Sequence, residues 1–322
     1  MKDVVFERNK TMLALMESDP EAANALALEN YERESLPPGL RDRVEKKTEI
    51  EGTLEILHYD MFDAEESITE FYLIDAAGTK HRLHLSQSFS LPLVSNSKIR
   101  VNGIELNGNI AALGEEQGGV VVLEAAVAAP EAENAVVLLV NFLDNTSQPW
   151  SPATVNDVIF NQTASYYLEN SFGKRTLTGD IFGYYTLPIN KTCDIDWIRS
   201  EAMNAADPDV FFPKYTQIIF AGPFSGCGWG GVAYVGDGTI SGADGFFTGG
   251  NSWIASMTTG VVGHELGHAF GVWHANFYDC DTEILKDSGC ASVGYGDEFD
   301  IMGRSSSNGH MNAYHKEKLG FF

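Results

Sequence analysis

The chain has 322 residues, of which 44% are hydrophobic and 20% charged, so it has enough apolar content to bury real cores rather than stay disordered. It carries 45 acidic against 21 basic residues, and this net charge of −24 argues against nucleic acid or an anionic membrane as its partner. No apolar run approaches the roughly 18 residues of a membrane-spanning helix, and the first ten residues lack the apolar stretch of a signal peptide.

The N-terminal part of the chain changes its hydrophobic period once. Residues 1–48 are rich in Glu, Ala and Leu and predict a helical leader of one or two short helices, broken at Pro20 and ended by Pro37 and Pro38. Across residues 49–124 apolar residues alternate with polar ones, a period of two that is typical of strands. We therefore expect a small all-β, barrel-like unit behind the leader.

The rest of the chain mixes strands and helices. Residues 125–134 have the small residues, proline and charge of a linker, and a second unit is expected over 135–322. It opens with an apolar run typical of a buried strand, and Ser151 is a good N-cap for the helix that follows. The segment 176–185 is hairpin-like. The fold class is therefore expected to be α+β.

The four cysteines lie in the second half of the chain and show no C-x-x-C spacing of a zinc knuckle or redox pair. Their even number suits two disulfides in an exported domain. Three pairings exist, and the most local one joins Cys193 to Cys227 and Cys280 to Cys290. Four buried thiols in an intracellular protein are the alternative.

The motif that carries chemistry is H-E-x-x-H-x-x-G-x-x-H, formed by His264, Glu265, His268, Gly271 and His274. Residues four apart lie on one face of a helix, so the first two histidines can direct imidazole nitrogens at one ion. The glutamate, one step round the helix, can reach a water at that ion without binding it. The glycine can adopt a positive φ and end the helix, so that the third histidine arrives from another direction. Three protein ligands leave the fourth position open, as in catalytic zinc sites.

This motif is that of the metzincin zinc proteases, and Y-G-D-E-F-D-I-M-G at 295–303 supplies Met302 for the methionine turn of that clan. More narrowly, residues 134–322 resemble the gametolysin family at these two segments, at 171–188, and in the closing N-A-Y-H-K-E-K-L-G-F. The β-rich unit resembles the pro-region ahead of such catalytic domains. Astacin- and serralysin-type metzincins have a tyrosine two residues after the turn methionine, but here Arg304 stands there, so no tyrosine from this turn is expected at the zinc.

The resemblance implies a domain order. It consists of a pro-region leader (1–48), a β-rich pro-domain (49–124), a linker and possible cleavage region (125–134), and a metzincin catalytic domain with a mixed twisted sheet and an active-site helix (135–322). It also implies a secreted zinc endopeptidase made as a proenzyme, acting on a protein or glycoprotein. The substrate would add an extended strand to a sheet edge at 230–235 or 251–255, between which the sequence does not choose.

The resemblance further implies a role for each site residue. His264, His268 and His274 would hold one catalytic Zn²⁺, and Glu265 would be the general base. Gly271 and Met302 would be structural residues near the site.

An open zinc site needs restraint before export, and residues 1–192 contain no cysteine that could cap the metal. We expect the pro-region to act as an intramolecular inhibitor through a carboxylate, a histidine or packing alone, with removal by a cut between about 115 and 134. Asp60, Asp63 and His58 lie on or beside a predicted loop, where an ordinary surface role is the expectation for each.

Several other interpretations stay open at this point. The acidic loops 279–287 and 297–300 could bind Ca²⁺, although neither matches the D-x-[DN]-x-[DN]-G spacing. A catalytically inert, metzincin-like binding or adhesion protein could retain a structural zinc, but such a site would need the histidines and not Glu265. An intracellular peptidase with reduced cysteines is a third class. His81 and His84 are expected on opposite strand faces, which makes them poor co-ligands.

Overall fold

The computed structural model describes residues 2–62, 66–86, 93–124, 132–281, 283, 286, 289–303 and 308–322. The chain divides into two compact units, which we call the first unit (Met1–Ile56 and Glu70–Ala126) and the second unit (Leu57–Thr69 and Val127–Phe322). The segment Leu57–Thr69, which lies inside the predicted pro-domain, thus belongs to the second unit.

The first unit begins with four helices where one or two short ones were expected. They are α1 (Lys2–Ser18), α2 (Pro20–Ala25), α3 (Asn30–Ser35) and α4 (Pro38–Arg41). The break at Pro20 is confirmed, because Asp19 accepts a hydrogen bond from the Ala22 amide and caps α2. The expectation that Pro38 ends the leader was wrong: proline suits the first turn of a helix, where its missing N–H costs nothing, and here it opens α4.

The strands of the first unit close on themselves. The described strands are β1 (Lys46–Met61), β2 (Glu66–Asp75), β3 (Lys80–His84), β4 (Lys98–Leu106), β5 (Asn109–Ala112) and β6 (Val120–Glu124), with a 3₁₀ turn at Glu115–Gln117. Their order is β1-β2-β3-β5-β4, and β4 pairs back onto β1 while β6 adds to β4. This circular order is the barrel-like arrangement that the alternating pattern predicts.

The second unit contains a mixed sheet. Its strands are β7 (Ala132–Phe142), β8 (Thr176–Leu187), β9 (Gln217–Ala221), β10 (Gly231–Tyr234), β11 (Gly238–Gly242) and β12 (Gly245–Ile254), with a small pair β13 (Phe277–Asp279) and β14 (Ala291–Val293). The order is β8-β7-β9-β12-β10. The pairs β8–β7, β7–β9 and β9–β12 are parallel, whereas β10 and β11 are antiparallel to β12. Residues 57–60 of β1 pair antiparallel with the other edge of β10.

The predicted hairpin at 176–185 was wrong, because this segment is part of the single strand β8. Its glycines suggested a turn, yet they lie inside the strand. A Cβ on Gly179 would lie 1.8 Å from the Ala135 carbonyl oxygen, so the glycine permits close approach of β8 to β7.

The helices of the second unit are α5 (Pro152–Asn156), α6 (Ala164–Asn170), α7 (Ile195–Ala206), α8 (Thr259–Ala269) and α9 (Ala313–Lys318), with a π-helical stretch at Asp157–Thr163 and a 3₁₀ turn at Phe212–Lys214. Ser151 caps α5 as expected, since its hydroxyl accepts from the Thr154 amide at 3.1 Å. On α8, Val262 and Leu266 are fully buried in the core of the unit. This packing holds the helix that carries most of the histidine motif.

Both disulfides have the most local pairing, Cys193–Cys227 and Cys280–Cys290, which confirms the predicted disulfide bonds. None of the helices within the described part of the chain combines the length and apolar composition needed to cross a membrane. The chain as a whole is a mixed α+β protein with many strands and several helices.

Candidate metal centre

Helix α8 supplies two imidazoles whose orientation is fixed by backbone carbonyls. His264 and His268 are completely buried. The Nδ1 of His264 donates to the Ile301 carbonyl at 2.7 Å, and that of His268 donates to the Val272 carbonyl at 2.9 Å. Because a carbonyl can only accept, each ring carries its proton on Nδ1 and presents the Nε2 lone pair, the usual arrangement of a metal-binding histidine.

The chain turns directly after α8 and brings in a third imidazole. Gly271 has a φ of +100°, a conformation that favours glycine. His274 follows, and its ring centroid lies 5.2 Å from that of His264 and 5.0 Å from that of His268, while these two are 4.8 Å apart. The structure thus brings together the three residues that we call the motif histidines, His264, His268 and His274.

A carboxylate from a distant strand lies among the motif histidines. Asp60 is fully buried, and its Oδ1 lies 2.7 Å from the Nε2 of His274 and 3.5 Å from that of His264. Its Oδ2 lies 3.3 Å from the Nε2 of His268. The aspartate reaches this point because residues 57–61 of β1, which we call the edge segment, lie along β10.

A fourth histidine accompanies this carboxylate. His58 is 3% exposed, its Nε2 lies 3.8 Å from Asp60 Oδ1, and its Nδ1 is 2.8 Å from Thr69 Oγ1. The surface role expected of His58 and Asp60 was therefore wrong. The predicted loop is a continuation of β1, where residues two apart point to one face. Asp63, the third residue considered, lies outside the described residues.

This buried cluster could hold a metal ion. The ligand atoms of His58, Asp60, His268 and His274 all lie within 4.8 Å of one another, a set that does not include His264. Within the described part of the chain, four buried atoms of the motif histidines, His58 and Asp60 have no hydrogen-bond partner, namely the Nε2 of His58, His264 and His268 and the Oδ2 of Asp60. Unpaired buried polar atoms are costly, and a cation would satisfy them. Imidazole and carboxylate donors suit Zn²⁺, and imidazole also suits Cu, Fe and Ni.

Glu265 lies beside the cluster as a second buried carboxyl group. It is completely buried, and neither oxygen has a hydrogen-bond partner among the described residues. A Cβ on Gly231 would lie 2.2 Å from Glu265 Oε1, so the carboxyl group packs directly against β10. Burial, and then the negative charge of Asp60, raises the pKa of Glu265 well above its ordinary value.

The other titratable groups respond to the same surroundings. Burial opposes ionisation of Asp60, but the nearby imidazoles of His264, His268 and His58 outweigh it and hold the pKa of Asp60 well below its ordinary value. Burial lowers the pKa of His58 and His268, and lowers that of His274 to about 3, although Asp60 opposes this. Burial thus favours the neutral form of these imidazoles, which is the form that binds metal.

A tyrosine that sequence reasoning missed also reaches the centre. Tyr295 is 4% exposed, its hydroxyl donates to Asp60 Oδ1, and its ring centroid lies 3.8 Å from that of His274. Burial, and then Asp60, raises the pKa of Tyr295 above its ordinary value. Its only signal in the sequence was its position as the first residue of Y-G-D-E-F-D-I-M-G. Arg304 stands two residues after Met302, where astacin- and serralysin-type metzincins have a tyrosine. It lies outside the described residues.

Met302 packs against α8. It is fully buried, and a Cβ on Gly267 would lie 2.2 Å from its sulfur atom. The absence of a side chain at Gly267 therefore lets the methionine pack directly against the helix. The same turn holds Ile301, whose carbonyl orients His264.

The remaining four histidines have other partners. His81, His84, His310 and His315 lie within hydrogen-bond distance of Asp75, Asn109, Glu169 and Asp300 respectively. Among the residues that the structure describes, no second group of His, Cys, Asp and Glu side chains has the spacing of a metal site. The predicted calcium loop 279–287 lies partly outside the described residues, and calcium binding stays a prediction.

The second unit therefore collects the motif histidines, Glu265 and Met302 at one point, and adds His58, Asp60 and Tyr295 to them. Gly271 lies in the turn between the second and third motif histidines. Compared with known proteins, the chain matches no family model and no curated sequence.

Proposed function

We propose that this chain is a zinc-dependent endopeptidase made as a latent proenzyme. The observation that carries the proposal is the convergence of the motif histidines: their Nε2 atoms lie 2.7, 3.3 and 3.5 Å from the oxygens of one buried carboxylate. Three imidazoles around one point, with the free carboxyl group of Glu265 beside them, are the parts that metal-assisted peptide hydrolysis needs. The two disulfides fit the secreted localisation that belongs to this proposal.

The catalytic role of Glu265 follows from its position. A bound zinc ion would polarise a water molecule and the scissile carbonyl of the substrate. Glu265 takes a proton from the attacking water and hands it to the leaving amine, as a general base and then a general acid. Departure of Asp60 would remove its negative charge, which helps to raise the pKa of Glu265, and this favours the ionised form that a base requires.

One of the two candidate segments for an extended peptide substrate contains a strand whose outer edge is covered only by the edge segment. Of the two candidate segments, 251–255 lies largely in β12, whose residues 252–254 pair with both β9 and β10. Segment 230–235 contains β10, which pairs with β12 on one edge and with only the edge segment on the other. We assign β10 as the strand to which a protein or glycoprotein substrate adds its backbone.

The uncut chain would be inactive because the edge segment occupies both parts of this site. It pairs with β10 along residues 57–60, and its Asp60 lies among the motif histidines. Three imidazoles and one carboxylate complete the four ligands of a closed zinc site. A cut between about 115 and 134 would separate this intramolecular inhibitor from the catalytic part of the chain, so that it can dissociate.

Peptide cleavage by the full-length chain tests the catalytic proposal. The stretch 125–130 contains Ala, Val and Pro and no Lys or Arg, so a protease that cuts after small residues, such as elastase, suits limited proteolysis there. The cut, zinc-loaded chain is incubated with a peptide library with and without chelator. We expect cleavage that the chelator abolishes and that Glu265→Ala lowers about 10²- to 10⁴-fold with zinc retained.

A matched variant controls this experiment. Glu317→Ala removes an exposed carboxylate from α9 and is expected to cleave like the parent chain. A cut, zinc-loaded parent chain that cleaves no peptide would overturn the proposal, and so would a Glu265→Ala variant with parental activity.

The latency proposal is tested on the uncut chain. Co²⁺ is substituted for zinc, and a small hydroxamate is added while the visible spectrum is recorded. We expect no change for the parent chain and a clear change for Asp60→Ala, because only the variant leaves a coordination position open. Equal responses of the two chains would reject Asp60 as the blocking ligand.

One observation favours a second candidate, a catalytically inert binding or adhesion protein with a structural zinc. With Asp60 in place the site would offer four protein ligands, the number found in structural zinc sites. This candidate predicts that the cut chain still binds zinc, cleaves no peptide and gains no hydroxamate response.

A further inference from the structure

Tyr295 is a buried group at the centre to which the proposed mechanism gives no role. It comes from outside the zinc motif, 21 residues after His274, and its hydroxyl donates to the Asp60 oxygen that lies 2.7 Å from the Nε2 of His274. Its φ of +56° is uncommon for a bulky residue, and such conformations cluster at functional sites.

The Asp60 oxygen shows where the site accepts negative charge. Its Oδ1 is an anionic oxygen 2.7 Å from the Nε2 of His274 and 3.5 Å from that of His264. Peptide hydrolysis produces such an oxygen when the trigonal carbonyl becomes tetrahedral, and enzymes stabilise it with fixed hydrogen-bond donors. The carboxylate oxygen is therefore a stand-in for that oxyanion, and Tyr295 already donates to it.

We propose that Tyr295 is a catalytic residue of this site, whose phenol donates a hydrogen bond to the oxyanion of the tetrahedral intermediate once Asp60 has left. This inference rests on the proposed peptidase function. As the water oxygen bonds to the carbonyl carbon, Glu265 takes the water proton and the carbonyl π electrons move to the oxygen. When the intermediate collapses, the C–N bond breaks and Glu265 returns the proton to the amine. Tyr295 keeps its own proton throughout.

The supports of Tyr295 lie mostly in the part of the chain that remains after cutting. Its amide donates to the side-chain oxygen of Asn276 at 3.2 Å, and its ring packs on His274. Its hydroxyl loses two acceptors when the N-terminal part leaves, Asp60 and the Glu66 carbonyl. The ring is thus held in place while the hydroxyl becomes free to donate to a substrate.

Four other side chains of the second unit that could donate a hydrogen bond have partners elsewhere. Tyr166 and Tyr167 donate to the backbone carbonyls of Gly309 and Gly263. His315 is held by Asp300, and the exposed His310 lies beside Glu169. Tyr295 is the phenol that contacts both a motif histidine and the stand-in oxygen.

The test compares Tyr295→Phe with the parent in the full-length chain, zinc-loaded and cut with elastase. We expect kcat to fall about 10²-fold, the usual effect of removing one oxyanion donor, with KM and zinc content close to those of the parent. A phosphonamidate peptide, which presents a tetrahedral anion, is expected to bind about 10²-fold more weakly to the variant. Tyr166→Phe removes a buried phenol away from the site and is the matched control, expected to behave like the parent.

The outcomes separate this inference from the proposed function. If the parent chain cleaves no peptide, the peptidase proposal fails, and the affinity for the phosphonamidate still decides on Tyr295. Equal phosphonamidate affinity of Tyr295→Phe and the parent overturns the inference. A variant that loses zinc or unfolds at a clearly lower temperature also overturns it, because the residue would then be structural.

Discussion

Two segments supply the side chains of the metal centre: helix α8 with the turn after it, and the edge segment. They differ in how far their site residues can be predicted from the sequence. Helix α8 and the turn after it deliver three imidazoles from an eleven-residue motif, through helical spacing and one glycine. The edge segment delivers His58 and Asp60 from a strand more than 200 residues away. A period of two with polar residues is common to half-buried strands, whereas H-E-x-x-H-x-x-G-x-x-H is rare. The metal-site residues of this helix can thus be predicted from its own sequence. Those of the strand can be recognised only when the strand that it pairs with is known.

The two segments also differ in charge. The motif histidines and Glu265 belong to a buried face where burial lowers the pKa of His268 and His274 and raises that of Glu265. The edge segment contributes Asp60, whose pKa is held well below its ordinary value by the surrounding imidazoles. Burial therefore favours neutral imidazoles at His268 and His274, whereas Asp60 of the edge segment supplies negative charge.

The largest effect is expected from removing a motif histidine. His268→Ala should weaken zinc binding more than about 10²-fold, because even the loss of an outer hydrogen-bond partner of a ligand costs 10- to 100-fold. Competition against a chromogenic chelator measures this. His81→Ala, which removes a buried histidine paired with Asp75, is the control. Equal zinc affinities of the two variants would contradict the assignment of His268, rather than His81, as a zinc ligand.

Gly271→Ala tests whether the turn after α8 orients the third ligand. A φ of +100° is strained for alanine, so we expect the free energy of unfolding to fall by about 1 to 3 kcal/mol, with weaker zinc binding as well. Urea denaturation and zinc titration measure the two effects. Gly39→Ala has no neighbour within 4 Å of the new Cβ and should be nearly neutral. An unchanged zinc affinity would mean that the turn does not orient His274.

Strand β10 contacts both helix α8 and the edge segment. The carboxyl group of Asp237, which follows this strand, should make the free energy of unfolding depend on pH. Burial, and then the negative charge of Glu133, raises the pKa of Asp237 to about 7. Above about pH 4 the unfolded chain releases the Asp237 proton, whereas the folded chain keeps it. The contribution of Asp237 to the free energy of unfolding is therefore fully present below about pH 4, and it is lost as the pH rises through about 7.

Asp237→Asn should remove this dependence. Relative to the parent, its free energy of unfolding should increase by about 2 kcal/mol between pH 4 and pH 8, a value reduced from the full shift because Asp237 is partly exposed. Urea denaturation at several pH values measures the difference. Parallel pH profiles of the two chains would contradict the prediction.

The smallest effect is expected from His58→Ala. Its Nε2 is 3.8 Å from Asp60 Oδ1 and it stands outside the motif, so zinc affinity should fall less than about tenfold. The same chelator competition measures it. If His58→Ala lost as much zinc affinity as His268→Ala, the ion would be assigned to a different set of ligands than the motif histidines. That set is His58, Asp60, His268 and His274.

Much of the fold could be predicted because it depends on local rules. The cap at Ser151, the helix break at Pro20 and the alternation of the first unit all follow from neighbouring residues. The strand β8 could not, because its glycines suit a turn as well as a close approach to β7. Local conformation does not decide between the two; the neighbouring strand does.

By itself the sequence determined which imidazoles converge, since helical spacing and the glycine turn act within a few residues. The tertiary structure alone decided that Asp60, His58 and Tyr295 join them. Asp60 and His274 are 214 residues apart, and Asp60 and Tyr295 are 235 apart. Their meeting depends on the pairing of the edge segment with β10, where a shift of one residue would turn Asp60 to the other face of the sheet.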